Sequence, residues 1–194
     1  MIHLAGENRP DDPAQFEAVN AGFTAAVCDA IRRANRKIPL LFASSIQAEA
    51  DNAYGRSKRG GELQVEKLAG DTGNPASIYR LPNIFGKWCR PNYNSAVATF
   101  CHNVSRGLPI RIDDPKAPLR LVYIDDVVAE FVRWLGQPPE DLRWGQVEPV
   151  YETTVGEVAD LIDAFARSRQ TLVSERVGAG LPRALYATYV SYLP

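Results

Sequence analysis

Short apolar runs, each closed by a small or turn-forming residue and separated by stretches with helical spacing, leave few folds open to this chain. The runs are Met1–Ala5 (ending at Gly6), Ile38–Ser44 (IPLLFAS), Ala76–Leu81 (ASIYRL) and Leu119–Ile124 (LRLVYI). As strands they need cover on both faces, because they do not alternate apolar with polar; that is the condition of a parallel α/β sheet. Between the first two, Phe16, Val19, Phe23, Val27 and Ile31 recur every three or four residues, which predicts an amphipathic helix over 13–35. Residues 54–70 read as a second helix. Asn83–Asn94 reads as irregular, 95–106 as a helix, and Asp125 as the cap of a helix running to Leu135. Gly136–Glu140 reads as a loop, Thr153 or Thr154 caps a helix to about Ser168, and 181–193 is aromatic-rich and helical. The expected fold class is α/β, a Rossmann-like doubly wound parallel sheet.

A dinucleotide-binding sheet opens with a strand, a glycine-rich turn and a helix. Nothing of that kind comes before Met1–Gly6. Gly60-Gly61 lies inside a helix, and VGAG at 177–180 follows a loop, so both read as structural. The expectation is therefore a partial sheet. Its first βαβαβ half, roughly 60 residues, is missing, and with it the helix N-terminus on which a pyrophosphate sits.

The net charge of −1 offers no electrostatic case for a nucleic-acid partner. No apolar run is long enough to span a bilayer, so no membrane partner is expected. The start MIHLAGENRP has no basic region followed by an apolar one, so no signal peptide is read and a cytoplasmic location is expected. Cys28, Cys89 and Cys101 are odd in number and show no pairing pattern, which suits a reducing compartment. Cys89, Cys101 and His102 lack paired CxxC or HxxH spacing, so no metal site is expected.

The chemistry centres on Tyr54-Gly55-Arg56-Ser57-Lys58. A spacing of four puts Tyr54 and Lys58 on one helix face. An ammonium beside a phenol favours phenolate, and the expectation is a lowered Tyr54 pKa suited to proton transfer near neutrality. The plain alternative is a surface helix pair. Ser44-Ser45 end an apolar strand, at the carboxyl edge where open α/β sheets place ligands. A serine there suits a hydrogen bond to a carbonyl oxygen; a strand-end turn is the plain alternative. Arg80-Leu81-Pro82-Asn83-Ile84-Phe85-Gly86 ends another strand at the same kind of edge, and Asn83 also suits a turn.

HLAG at 3–6, Asn20 in the following helix, FASS at 42–45, YGRSK at 54–58, RLPNIFG at 80–86 and VYIDDV at 122–127 follow the order of the extended short-chain dehydrogenases/reductases, the NAD-dependent epimerase/dehydratase family. The chain resembles that family over nearly its whole length. Within it, RLPNIFGKWCRPNYNSAVATFCHN looks like the CapF/WbjC type of capsule and O-antigen enzyme, whose final segment, similar to LPRALYATYVSYLP, leads into a cupin domain. The resemblance implies a Rossmann-core part over 1–85, a substrate-binding region over 86–194, and a chain truncated at both ends, without the cupin.

It also implies NADP(H), or NAD(H), as cofactor and a UDP-4-keto-6-deoxy-N-acetylhexosamine as substrate, reduced at C4 on the route to UDP-N-acetyl-L-fucosamine. Tyr54 would protonate the C4 oxygen, Lys58 would bind the nicotinamide ribose, and Ser45 would bond the same oxygen. Leu4, Ala5, Gly6, Ala43, Ser44 and Leu81 would line the cofactor together with Tyr54 and Lys58. Asn83 would contact the substrate phosphates, and Arg90 suits the diphosphate by charge. Family members pair through the helices matching 13–35 and 54–70, which implies a homo-oligomer.

Two departures stand out. The glycine fingerprint is absent, and Ser45 precedes Tyr54 by only nine residues, so IQAEADNA must turn sharply. The rival readings are a non-catalytic remnant or oligomerisation fragment, and an epimerase or dehydratase. A dehydratase is disfavoured because Ala53 precedes Tyr54 and Ile46-Gln47 follow Ser45, where an acidic residue would be expected.

Overall fold

The computed structural model describes residues 1–173 and 175–194. Strands β1 (Ile2–His3), β2 (Leu40–Ser45), β3 (Ala76–Leu81) and β6 (Leu142–Gly145) form one parallel sheet in the order β1-β2-β3-β6. The register aligns Phe42 with Ile78 and Ser45 with Leu81. Strand β1 is shorter than the run Met1–Ala5 suggests, and Met1 and Leu4 are exposed at its two ends.

The helix expected over 13–35 has three consecutive parts: α1 (Ala14–Phe16), a π-helical turn (Glu17–Gly22) and α2 (Phe23–Arg33). Its buried stripe is Asn20, Ala21, Thr24, Cys28 and Ile31, while Phe23 lies exposed. The wide turn rotates the face that meets the sheet away from the apolar spacing, and hydrogen bonding rather than hydrophobicity fills two of the positions. Helix α3 (Ala53–Thr72) starts at Asn52, whose side chain accepts from the Gly55 amide at 2.8 Å. It packs on α2, the π turn and β2. Gly61 allows this approach, since a Cβ there would stand 2.8 Å from the Phe42 ring and 3.1 Å from the Asn20 carbonyl.

On one side of this sheet Leu40, Phe42 and Ile78 pack with Cys28, Ile31, Val65 and Leu68. Neighbouring strand residues point to the opposite face. There Tyr79 packs edge-on against Phe131 at 5.3 Å, and Ser77 accepts from the Trp134 indole at 2.8 Å. Both aromatics belong to helix α5 (Ile124–Gly136). The sheet is thus covered on both faces, as its unalternating strands require. Asp125 falls inside the first turn of α5 rather than at its cap.

A second sheet, β4-β5-β7, joins Asn83–Phe85, Pro118–Tyr123 and Val150–Thr154. Strand β4 pairs parallel with β5, and β7 pairs antiparallel, against the expectation of strands that all run parallel. Helices α4 (Ala96–Val104), α6 (Val155–Thr171) and α7 (Gly180–Val190) pack together over a core of Phe85, Phe100, Leu121, Ile162, Phe165 and Leu185. Thr154 caps α6 in a capping box with Glu157.

The chain divides into two compact units. The first is Met1–Leu81 with Glu130–Val147; the second is Pro82–Ala129 with Glu148–Pro194. The change of unit expected after residue 85 comes after Leu81, and the first unit regains Glu130–Val147 later in the chain.

Candidate active site

The first unit gathers Ser45, Tyr54 and Lys58 at the carboxyl edge of its parallel sheet. The sharp turn between them is a 3-10 helix, Ile46–Glu49, capped by the Ser45 hydroxyl, which accepts from the Gln47 amide at 3.2 Å. Gly55 makes the turn possible. A Cβ there would lie 2.3 Å from the carbonyl oxygens of both Gln47 and Ala50, so the start of α3 slides directly beneath the turn. This folds Ser45 back toward the Tyr54 phenol, near enough for its hydroxyl to favour the ionised phenol.

Burial pushes the Tyr54 phenol above its ordinary value, and the nearby Ser45 hydroxyl only partly opposes this. The lowering expected from Lys58 is not found. Lys58 donates to the Ala43 carbonyl at 2.8 Å and lies over the Phe42 ring at 4.8 Å. Its side chain is buried, and desolvation brings its ammonium down to about 8, against the opposing pull of Glu62. Among the described residues the Ala43 carbonyl is its one hydrogen-bond acceptor, which leaves an ammonium with spare donors at the strand edge. That suits a ribose diol.

A buried polar chain supports this corner. Asn20 donates to the Glu7 carbonyl and to the Ser57 hydroxyl, both at 2.9 Å, and accepts from the Glu7 amide at 2.8 Å. Ser57 in turn donates to the Tyr54 carbonyl at 2.7 Å. Asn20 thereby ties the loop after β1 to the first turn of α3. Thr24 donates to the Asn20 carbonyl at 2.6 Å and meets the His3 Nε2 at 3.0 Å. Burial, with the Lys58 charge adding to it, lowers the His3 pKa.

Of the residues expected to line a cofactor, Leu4, Ala5 and Gly6 are exposed beyond β1, Ala43 is half-buried beside Lys58, and Leu81 is buried beside Ser45. Ser44 turns its hydroxyl to Glu62 at 2.6 Å. Glu62, which sequence reasoning missed, has no exposed surface. It accepts from Arg80 at 2.9 and 2.7 Å and from Arg59 at 3.0 Å. The available signal was its place one helical turn after Lys58, on the same face. The second unit carries Asn83, exposed at the start of β4, and Arg90, exposed and stacked on Tyr93 at 5.2 Å. Trp88 is 86% exposed in the same loop, and Lys87 pairs with Asp125 at 3.1 Å.

Among the described residues no three His, Cys, Asp or Glu side chains are grouped as metal ligands, and no helix is long and apolar enough to cross a membrane.

Residues 1–145 match the model of the "NAD dependent epimerase/dehydratase family". Over all 194 residues the chain is 53% identical to the UDP-2-acetamido-2,6-beta-L-arabino-hexul-4-ose reductase of Pseudomonas aeruginosa, of which it covers 52%. It superposes over its whole length on the capsular polysaccharide assembling protein CapF of Staphylococcus aureus with a TM-score of 0.87 and 41% identity, covering 53% of that chain. The chain thus spans about half the length of these relatives. The Bordetella bronchiseptica enzyme WbmF, solved in complex with NAD+ and UDP, shares the fold at a TM-score of 0.80 with 14% identity; 98% of this chain and 70% of WbmF are covered. This chain belongs to the NAD dependent epimerase/dehydratase family.

Proposed function

We propose that this chain carries the proton-transfer part of an NADPH-dependent reductase acting on the C4 ketone of a UDP-4-keto-6-deoxy-N-acetylhexosamine, in capsule or O-antigen sugar synthesis. The observation that carries the reading is the sharp turn that brings Ser45 back to the start of the helix bearing Tyr54, at a strand edge beside a buried lysine. The 53% identity to a hexulose reductase supports the choice of substrate.

A bound nicotinamide would supply the hydride. The exposed Leu4–Gly6 edge and the spare donors of Lys58 fit a nicotinamide ribose, while the glycine-rich turn that grips a pyrophosphate is not among the described residues. The work of this chain's own residues follows from their chemistry. Tyr54, kept protonated by burial, donates its proton to the C4 oxygen as negative charge builds there. Ser45 hydrogen-bonds the same oxygen and holds it in line with the phenol. Lys58 keeps a positive charge close to the developing anion and holds the ribose. Asn83 and Arg90 are proposed to contact the substrate phosphates. The helices bearing Phe23 and Leu63, both exposed apolar residues, are proposed to join two copies of the chain, and the setting is proposed to be cytoplasmic.

The test is Tyr54→Phe in the complete protein that carries this sequence, given the keto sugar and NADPH. General acid catalysis contributes about 10²–10⁴-fold, so kcat should fall by that order with sugar binding nearly unchanged. A variant that keeps more than about half the activity overturns the reading.

A further inference from the structure

We infer that Glu62 is a positioning residue for the reaction proposed above: its buried carboxylate clamps the carboxyl end of β2 so that Ala43 stays on Lys58 and Ser45 stays on Tyr54. The inference rests on the reductase reading. Glu62 has no exposed surface, yet four hydrogen bonds reach its two oxygens. Ser44 of β2 and the Arg80 Nε of β3 bond Oε1; a second Arg80 nitrogen and Arg59 of α3 bond Oε2. These donors outweigh burial and hold the carboxyl below its usual range, so it stays charged.

A carboxylate taken out of water is costly unless fully compensated, and an apolar side chain of similar shape often packs as well. Stability alone therefore does not explain it. Its position does. Ser44 is flanked by Ala43, whose carbonyl holds the Lys58 ammonium, and by Ser45, whose hydroxyl lies near the Tyr54 phenol. Arg80 extends the clamp: it reaches Glu49, at the end of the turn that Ser45 caps, at 2.5 Å, and its guanidinium stacks on Trp144 of β6 at 4.7 Å. One carboxylate thus fixes the strand end, the turn and the helix that carry all three reacting side chains.

Glu62 also acts on Lys58 directly, because the two are one turn apart on α3 and the carboxylate supports the ammonium against desolvation. The groups that face Lys58 are Glu62 from α3, His3 from β1, and the Ala43 carbonyl and Phe42 ring from β2. His3 is held toward its neutral form, so Glu62 is the charge that counts.

Two measurements test this. In the 194-residue chain labelled with ¹³C-lysine, the Cε resonance of Lys58, assigned with Lys58→Arg, should titrate roughly one pH unit lower in Glu62→Gln than in the parent. A purely structural role would lower the melting temperature and leave that titration in place, and an unmoved titration overturns the inference whether or not the protein reduces a sugar. In the complete protein, Ser44→Ala keeps the charge and removes one donor. It should lower kcat about tenfold or more, the size of one lost hydrogen bond to a charged carboxylate, with the pH profile unmoved. Full activity in Ser44→Ala overturns the clamp. Failure of the reductase reading shows separately, as activity that survives Tyr54→Phe. If Glu62→Gln does not fold, the Ser44→Ala arm decides.

Discussion

Replacing a helical glycine by alanine ordinarily stabilises a protein, and Gly55 should invert that rule. The gain from alanine in a helix is about 0.5–1 kcal/mol. Against it, a Cβ at Gly55 lies 2.3 Å from two backbone oxygens, those of Gln47 and Ala50, where real contacts do not come under 3.0 Å. Neither oxygen belongs to a side chain that can swing away. The Gln47 carbonyl is also bonded to the Ala50 amide at 2.9 Å, so the turn has to retreat as a body. Overpacking of this kind costs about 1–3 kcal/mol, which leaves a net loss of up to about 2.5 kcal/mol. For a chain of this size each kcal/mol moves Tm by about 2–4 °C, so Gly55→Ala should melt lower, by up to roughly 10 °C. Gly70 is the control: it sits in the same helix, with nothing within 4 Å of its would-be Cβ. Gly70→Ala should raise Tm by about 1–4 °C. Thermal melts of the two variants and the parent by circular dichroism decide the matter. If both variants melt higher than the parent, the close approach of turn and helix is wrong, and so is the account of how Ser45 meets Tyr54.

Lys58 should leave a signature in the pH dependence of stability. Burial holds its ammonium at about 8, below the unfolded value of 10.5, so the unfolded chain binds more protons between those limits and stability rises with pH across them. Urea titrations should show a contribution of up to roughly 3 kcal/mol over that window, absent in Lys58→Met; a parent-minus-variant difference that stays flat with pH contradicts the burial. Cys28 and Cys101 are wholly buried, and desolvation pushes their thiols up to about 11 and about 12. At pH 8 a maleimide should add one label to the folded chain, at Cys89, and three after denaturation, as read by mass spectrometry; rapid native labelling of Cys28 or Cys101 would show that their cores open.

Much of the first sheet was legible because its strands are apolar on both faces. Ala76–Leu81 is the expected run, and Leu40–Ser45 differs from its run only at the ends. Strands β6 and β7 were not legible. Leu142–Gly145 (LRWG) and Val150–Thr154 (VYETT) contain no buried residue, so neither alternation nor an apolar run marks them. The helix before β2 was found, but its inward face was not. Phe16, Val19 and Phe23 set the visible periodicity, while Asn20 and Thr24 occupy the buried positions through hydrogen bonds that hydropathy does not register. The Tyr54–Lys58 spacing predicts one helix, and both residues fall near the start of α3. The sense of the Tyr54 shift went wrong because spacing predicts neighbours and not desolvation. Glu62 escaped notice because a glutamate amid Arg59, Leu63 and Glu66 reads as part of a solvated face, and its burial is decided by Ser44 and Arg80 from two distant strands.

The interrupted course of the first unit has a consequence for how the chain acquires its structure. Synthesis proceeds from the N-terminus, so β1, β2 and β3 emerge together, but the groups that finish β3 come later. Trp134 reaches Ser77 across 57 residues and Glu130 reaches Tyr79 across 51. Until they arrive, one face of β3 and the edge that β6 will occupy stay open to water and to other chains. Closure over such a separation is entropically costly before it is rewarded, which slows folding and lengthens the exposure of an aggregation-prone edge. The residues proposed to bear the chemistry are therefore in place along the sequence well before the unit that holds them is closed.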